Sequence, residues 1–84
     1  MKKEIKLYTW AHCPYCNGAK KLLDDKGLNY TDIDIYNDDK TRRQLQEQTN
    51  HYTVPFIFIG ETFIGGFTEL KKIDFSGKLN ELLQ

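Results

Sequence analysis

The only two cysteines of this 84-residue chain, Cys13 and Cys16, flank Pro14-Tyr15 at the seam between a strand-like and a helix-like pattern. That placement excludes most ways of holding a small chain together. A bridge between residues three apart closes almost no loop, so it restrains the unfolded chain very little. Small domains that depend on disulfides carry several well-separated cysteines. The length predicts a single domain over residues 1–84. Its fold must then come from a hydrophobic core of modest size, which leaves the sulfur pair free for chemistry.

Ahead of the pair, Ile5, Leu7 and Thr9 alternate with Lys6 and Tyr8, the period of a half-buried strand. That pattern ends near Trp10-Ala11-His12. Pro14 suits the first position of a helix, where a missing N–H costs nothing. Behind it Cys16, Ala19, Leu22 and Leu23 form an apolar stripe at helical spacing, and Gly27 is the stop residue. Tyr30, Ile33 and Ile35 mark a second strand. Asn37-Asp38-Asp39 supplies cap chemistry for a second helix to about Gln48, with Leu45 as its aliphatic anchor. Val54 to Ile59 is the strongest strand signal, and Gly60-Glu61 turns it back into Thr62-Phe63-Ile64 as a hairpin. Gly65-Gly66 breaks that strand, and Phe67 to about Ile73 and Leu79 to Leu83 read as short closing helices.

The order is β-α-β-α-β-β-α, with the closing helical region as its last member. The first β-α-β should be a right-handed crossover between parallel strands. The hairpin adds antiparallel strands to the same sheet. The expected fold is α/β, a four-stranded mixed sheet flanked by helices, which is the thioredoxin-like architecture.

Lys plus Arg equals Asp plus Glu at twelve each, so no net field draws the chain to nucleic acid or to an anionic membrane. Met1-Lys2-Lys3 has the charge of a leader start, but no apolar stretch of the needed length follows it. No run approaches membrane-spanning length. The expectation is a cytoplasmic protein whose thiols rest reduced and are oxidised only in turnover. Nothing in the pattern cues an oligomer, so a monomer is expected.

In disulfide exchange the thiolate is the nucleophile. Cys13 lies just ahead of the first helix, where unpaired N–H groups and the helix dipole favour negative charge. Cys16 lies in the first turn on the same face, placed to attack the Cys13 sulfur once it is in a mixed disulfide. The expected roles are Cys13 as nucleophile and Cys16 as resolving thiol. Pro14 stiffens the connection, and Tyr15 can flank a substrate without adding charge. Lys20 and Lys21 are nearby cations whose contribution screening keeps small. A zinc half-site is the bland alternative. Zinc wants four ligands, and even with His12 and His51 there is no second cysteine pair, so no metal is expected.

A second cluster precedes the strong strand. Pro is tolerated at a strand start, so Thr53-Val54-Pro55 reads first as an ordinary trans opening; only ~5–6% of X–Pro bonds are cis. The thioredoxin-like architecture reverses that reading. There the Val54–Pro55 bond would be cis and would turn the Val54 backbone outward beside Cys13, open to strand addition by an extended substrate. Gly65-Gly66-Phe67-Thr68-Glu69 leads into a helix start, where free N–H groups bind carboxylates. Thr68 is a candidate cap and Glu69 a candidate partner for an ammonium, a pair suited to an amino-acid head group. The bland alternative is an exposed cap with a solvated glutamate.

Together these pieces make the sequence resemble the dithiol glutaredoxins. The matching segments are Tyr8-Thr9, Cys13-Pro14-Tyr15-Cys16, Thr53-Val54-Pro55, and Gly65-Gly66 followed by Leu70. They span most of the chain in the family's order. The resemblance implies a disulfide oxidoreductase that uses glutathione as co-substrate and acts on protein disulfides and glutathionylated proteins. It implies that Tyr15 lines the glutathione groove, that Thr53 and Val54 pair with the tripeptide backbone, that Thr68 and Glu69 receive the γ-glutamyl head group, and that Pro55, Gly66 and Phe67 belong to the same binding groove. Arg42 falls where the family often contacts the glycine carboxylate, with Arg43 as the alternative. Trp10 stands where many members carry a lysine for that carboxylate, and it reads equally as a half-buried surface aromatic. Phe67, Thr68-Glu69 and Phe56 also depart from the commoner residues, which bears on affinity more than on reaction class. Two rival readings accompany this one. The first is a dedicated donor to ribonucleotide reductase recharged by a thioredoxin reductase. The second is an iron–sulfur module between two protomers, against which Pro14-Tyr15 argues.

Overall fold

The computed structural model describes residues 3–84, so the basic start at Met1-Lys2 lies outside the described residues. The elements run β1 (Ile5–Thr9), α1 (Pro14–Asp25), β2 (Thr31–Asp34), α2 (Asp39–Thr49), β3 (Phe56–Ile59), β4 (Thr62–Gly65), α3 (Phe67–Ser76) and α4 (Lys78–Leu83). The strands form one sheet in the order β2-β1-β3-β4. β1 pairs parallel with β2, Lys6 opposite Thr31 and Thr9 opposite Asp34. It pairs antiparallel with β3, which pairs antiparallel with β4. This is the mixed four-stranded sheet that the sequence pattern predicts.

The alternation of side chains sorts the core onto two faces. Ile5 and Leu7 of β1 and Ile57 and Ile59 of β3 pack with Ala19 and Leu23 of α1, Leu70 of α3, and Leu79 and Leu83 of α4. Phe56 and Phe58 point the other way, to Ile35 and to Leu45 of α2. β3 is buried along its whole length, as an apolar run covered on both faces should be. Each such Phe, Leu or Ile contributes about 1.5–3 kcal/mol on leaving water.

Several boundaries differ from expectation for local reasons. β3 starts at Phe56 rather than Val54 because Pro55 has no N–H to give a ladder. β2 is shorter than the Tyr30–Ile35 pattern: its ladder spans only the residues that β1 can face. Gly65 belongs to β4 rather than breaking it. The closing region is two helices divided at Gly77, so the order ends in α-α, and α3 runs on to Ser76. Two helix ends fall where the chemistry predicts. The Asp38 carboxylate accepts from the Thr41 N–H at 3.1 Å at the start of α2. After α1, Gly27 N–H donates to Asp24 O and Leu28 N–H to Leu23 O, both at 3.0 Å, the paired bonds of a Schellman stop.

Candidate active site

Cys13 is the N-cap of α1, with extended backbone and Pro14 following as the first helical residue. Its sulfur accepts from the Cys16 N–H at 3.3 Å. The same sulfur lies 3.9 Å from the Val54 carbonyl oxygen, to which a protonated Cys13 donates. The two segments that the sequence separates by forty residues thus meet at one atom. Val54–Pro55 is the cis peptide bond that the architecture implied.

Cys13 is half-buried, whereas Cys16 is sealed at 0% exposure, and both are free thiols. Burial first, and then the hydrogen bond to Cys13, push the Cys16 thiol up to about 12; the Trp10 backbone offsets part of this. Cys16 is therefore held as a neutral thiol behind the Cys13 sulfur. The nearby cations are already matched to carboxylates. Lys20 Nζ sits 2.7 Å from Asp32 Oδ2, and Lys21 Nζ 3.5 Å from Asp25 Oδ2. Thr9, 1% exposed, donates its hydroxyl to the other Asp32 oxygen at 2.5 Å. The Asp32 hydrogen bond raises the Lys20 pKa, so this ammonium stays charged.

Two grooves share Thr53 and Val54, the latter being the residue whose carbonyl lies beside the Cys13 sulfur. The first, about 330 Å³, is lined by Tyr15, Pro55, Gly66, Phe67, Thr68 and Glu69 together with Thr53, Val54 and His51. The second, about 200 Å³, is lined by Trp10, Arg42, Gln46, Tyr52 and Phe56 with the shared pair. Every residue that the sequence marked for the groove therefore lies in one or the other, except Arg43, the alternative to Arg42, which lines neither.

The details correct some readings. Thr68 does not cap α3: Gly66 is the N-cap, and the Glu69 carboxylate reaches back to the Gly66 N–H at 2.7 Å. Gly65 permits this by its φ of +121°, where a Cβ would sit 2.7 Å from Glu69 Oε1. One Glu69 oxygen is thus engaged in holding the helix start. Phe67 lies against α1, where a Cβ on Gly18 would approach its ring to 2.7 Å, and Lys71 Nζ sits 4.6 Å from the ring centroid. Arg42 pairs with Asp39 one turn back at 3.0 Å. Trp10 packs edge-on against Tyr36 at 5.9 Å, and its buried Nε1 has no hydrogen-bond partner among the described residues.

Sequence reasoning missed His51, Gln46 and Tyr52. Tyr52 and Gln46 carry no motif signal. His51 reads from the sequence only as a candidate metal ligand. Among the described residues, no three His, Cys, Asp or Glu side chains cluster as a metal site.

The glutaredoxin family model matches residues 5–64. A glutaredoxin of Pseudomonas aeruginosa is 40% identical over 79 residues, covering 94% of each chain. The chain belongs to the glutaredoxin family. Among solved structures, the solution structure of a glutaredoxin from Brucella melitensis is 38% identical with a TM-score of 0.86, covering 98% of this chain and 89% of that one. A buckwheat glutaredoxin–glutathione complex is 31% identical with a TM-score of 0.91, covering 96% and 76%. The thioredoxin-like fold of the glutaredoxins and their thiol–disulfide oxidoreductase chemistry are thus those of this chain. Among the described residues no helix is long and apolar enough to cross a membrane.

Proposed function

We propose that this glutaredoxin reduces protein disulfides and glutathionylated proteins at the expense of glutathione, with Cys13 as nucleophile and Cys16 as resolving thiol. The observation that carries the reading is the half-buried Cys13 sulfur 3.9 Å from the carbonyl oxygen of Val54, a residue that two grooves share. A tripeptide in extended form can lie along Thr53-Val54, its sulfur at Cys13 and its two charged ends in separate grooves. The α3 start at Gly66-Phe67-Thr68 and the Glu69 carboxylate suit a carboxylate and an ammonium on one carbon. Arg42, beside Trp10, suits the other carboxylate.

With a glutathionylated protein, the Cys13 thiolate attacks the glutathionyl sulfur. A Cys13–glutathione disulfide forms, the substrate disulfide breaks, and the protein thiolate leaves and takes a proton. A second glutathione thiolate then attacks the bound sulfur, releasing glutathione disulfide and the Cys13 thiolate. With a protein disulfide, Cys13 forms a mixed disulfide with one substrate sulfur. Cys16 gives up its proton and attacks Cys13, the Cys13–Cys16 disulfide forms, and the substrate leaves as a dithiol. Two glutathiones return the pair to thiols and leave as one disulfide. In this reading the chain works as a single-domain monomer in the cytoplasm and needs no metal.

The test is turnover of a glutathionylated peptide with glutathione, glutathione reductase and NADPH, beside a second reaction fed by thioredoxin reductase. Cys13→Ser should abolish both peptide deglutathionylation and protein-disulfide reduction. Cys16→Ser should block only the second. Turnover fed by thioredoxin reductase alone would overturn the glutathione reading.

A further inference from the structure

His51 has no part in the mechanism above, yet it is built into the wall of the first groove. Its ring stands edge-on between Phe56 at 5.2 Å and Phe63 at 5.4 Å, which fixes its plane. Its Nε2 lies 3.3 Å from the Thr53 hydroxyl oxygen. Its other approach is to Gly66, where a Cβ would meet Cε1 and Nε2 at 3.5 Å. The ring therefore joins the Thr53 segment to the start of α3, the two surfaces between which the groove opens.

The hydrogen bond between His51 and Thr53 can run in two senses. With Nε2 unprotonated, Thr53 donates its hydroxyl hydrogen to the ring and offers a ligand only lone pairs. With Nε2 protonated, the ring donates and the Thr53 hydrogen is free to turn into the groove. An imidazolium permits only the second sense, and it adds a positive charge to the wall. We propose that His51 is a positioning residue that acts through Thr53, setting that hydroxyl as donor and so tightening the hold on an anionic tripeptide when the ring is charged. This inference rests on the glutathione reading and deepens it.

The other groups facing the ring are few. From α3 comes the Glu69 carboxylate, tied to the Gly66 N–H. From α1 comes Tyr15 across the groove, and Cys13 beyond the Val54 carbonyl. Phe56 and Phe63, from β3 and β4, carry no charge. From α2, the Thr49 hydroxyl takes the His51 backbone N–H at 3.1 Å. Cys13 and Glu69 carry ionisable groups too, so the experiment compares the native protein with a variant changed only at position 51.

The probe is S-methylglutathione, a thioether that cannot exchange disulfides. Its dissociation constant is measured by calorimetry at about pH 5.5 and about pH 8, the interval over which histidine side chains change charge. The native protein is compared with His51→Gln, which keeps an N–H but no charge, and with His51→Phe, which keeps the packing but no hydrogen bond. Native protein should bind more tightly at the lower pH, by about two- to fivefold beyond any change seen in His51→Gln, the size of one partly exposed charge contact. His51→Phe should bind more weakly than native at both values. Equal pH dependence in native protein and His51→Gln overturns the inference while leaving the glutathione reading intact. Failure of native protein to bind the probe at either pH overturns the glutathione reading, and the inference with it.

Discussion

The backbone N–H of Cys16 points at the sulfur of Cys13 from 3.3 Å. The residue that supplies the second thiol thus also supports the first, through its peptide rather than its side chain. This follows from the two-residue spacer. With Cys13 at the N-cap and Pro14 first in the helix, position 16 is the third helical residue, whose N–H a cap side chain normally receives. A sulfur takes the place of the usual serine or aspartate oxygen. The same turn carries the Cys16 side chain inward to full burial.

Burial of Cys16 gives the reduced protein an alkaline weakness. An unfolded chain releases the Cys16 proton near 9.0, whereas the folded protein keeps it to about 12. Between those values the folded state binds more protons, so stability falls as pH rises through the window and is fully present below it. The Lys20 and Tyr30 groups are raised too and act in the same sense. Urea melts of reduced native protein and of Cys16→Ala, at a pH below 9.0 and again inside the window, isolate the thiol. The native protein should lose more stability than the variant.

Gly18 sits in the middle of α1, where glycine costs about 1 kcal/mol relative to alanine. Its use is room for Phe67, whose ring would lie 2.7 Å from an added Cβ. Gly18→Ala should push that ring into the groove it lines. KM for a glutathionylated peptide should rise several-fold, while thermal stability changes by less than the helix propensity alone would give.

Leu45 is the buried residue of α2, packed with Ile35, Phe56 and Phe58. Leu45→Ala should cost about 2–5 kcal/mol. Because α2 also carries Arg42 and Gln46 into the second groove, the variant should hold glutathione less well even when folded. Denaturant melts and calorimetry check the two effects separately.

Asp32 joins two elements by accepting from Thr9 and pairing with Lys20. Asp32→Ala should cost about 1–3 kcal/mol, chiefly because the Thr9 hydroxyl is left buried without a partner. In a Thr9→Val background the same substitution should cost less. A double-mutant cycle from urea melts should return a coupling of about 1 kcal/mol.

Much of this was legible in the chain. The period-2 run from Ile5 to Thr9 and the Phe-Ile-Phe-Ile run declared the two central strands, because each face of the sheet needs its own apolar set. Gly27 and Asp38 declared helix ends, because capping is local chemistry. The apolar run places the start of β3 two residues early, since hydropathy does not register a missing N–H at Pro55. Capping of α3 by Glu69 was missed because it depends on the φ of Gly65, which a residue name does not state. His51 was invisible as a groove residue because its place is set by Phe56 and Phe63, on strands formed later in the chain.

The most direct test of the division of labour between the sulfurs is trapping. Reduced Cys16→Ser and Cys13→Ser proteins are each exposed to glutathione disulfide, and the adducts are located by peptide mass spectrometry. Cys16→Ser should carry one glutathione, on Cys13, while Cys13→Ser stays unmodified because its remaining thiol is buried and protonated. Glutathione found on Cys16 of the Cys13→Ser protein, with Cys13 of the other variant left bare, would contradict the account.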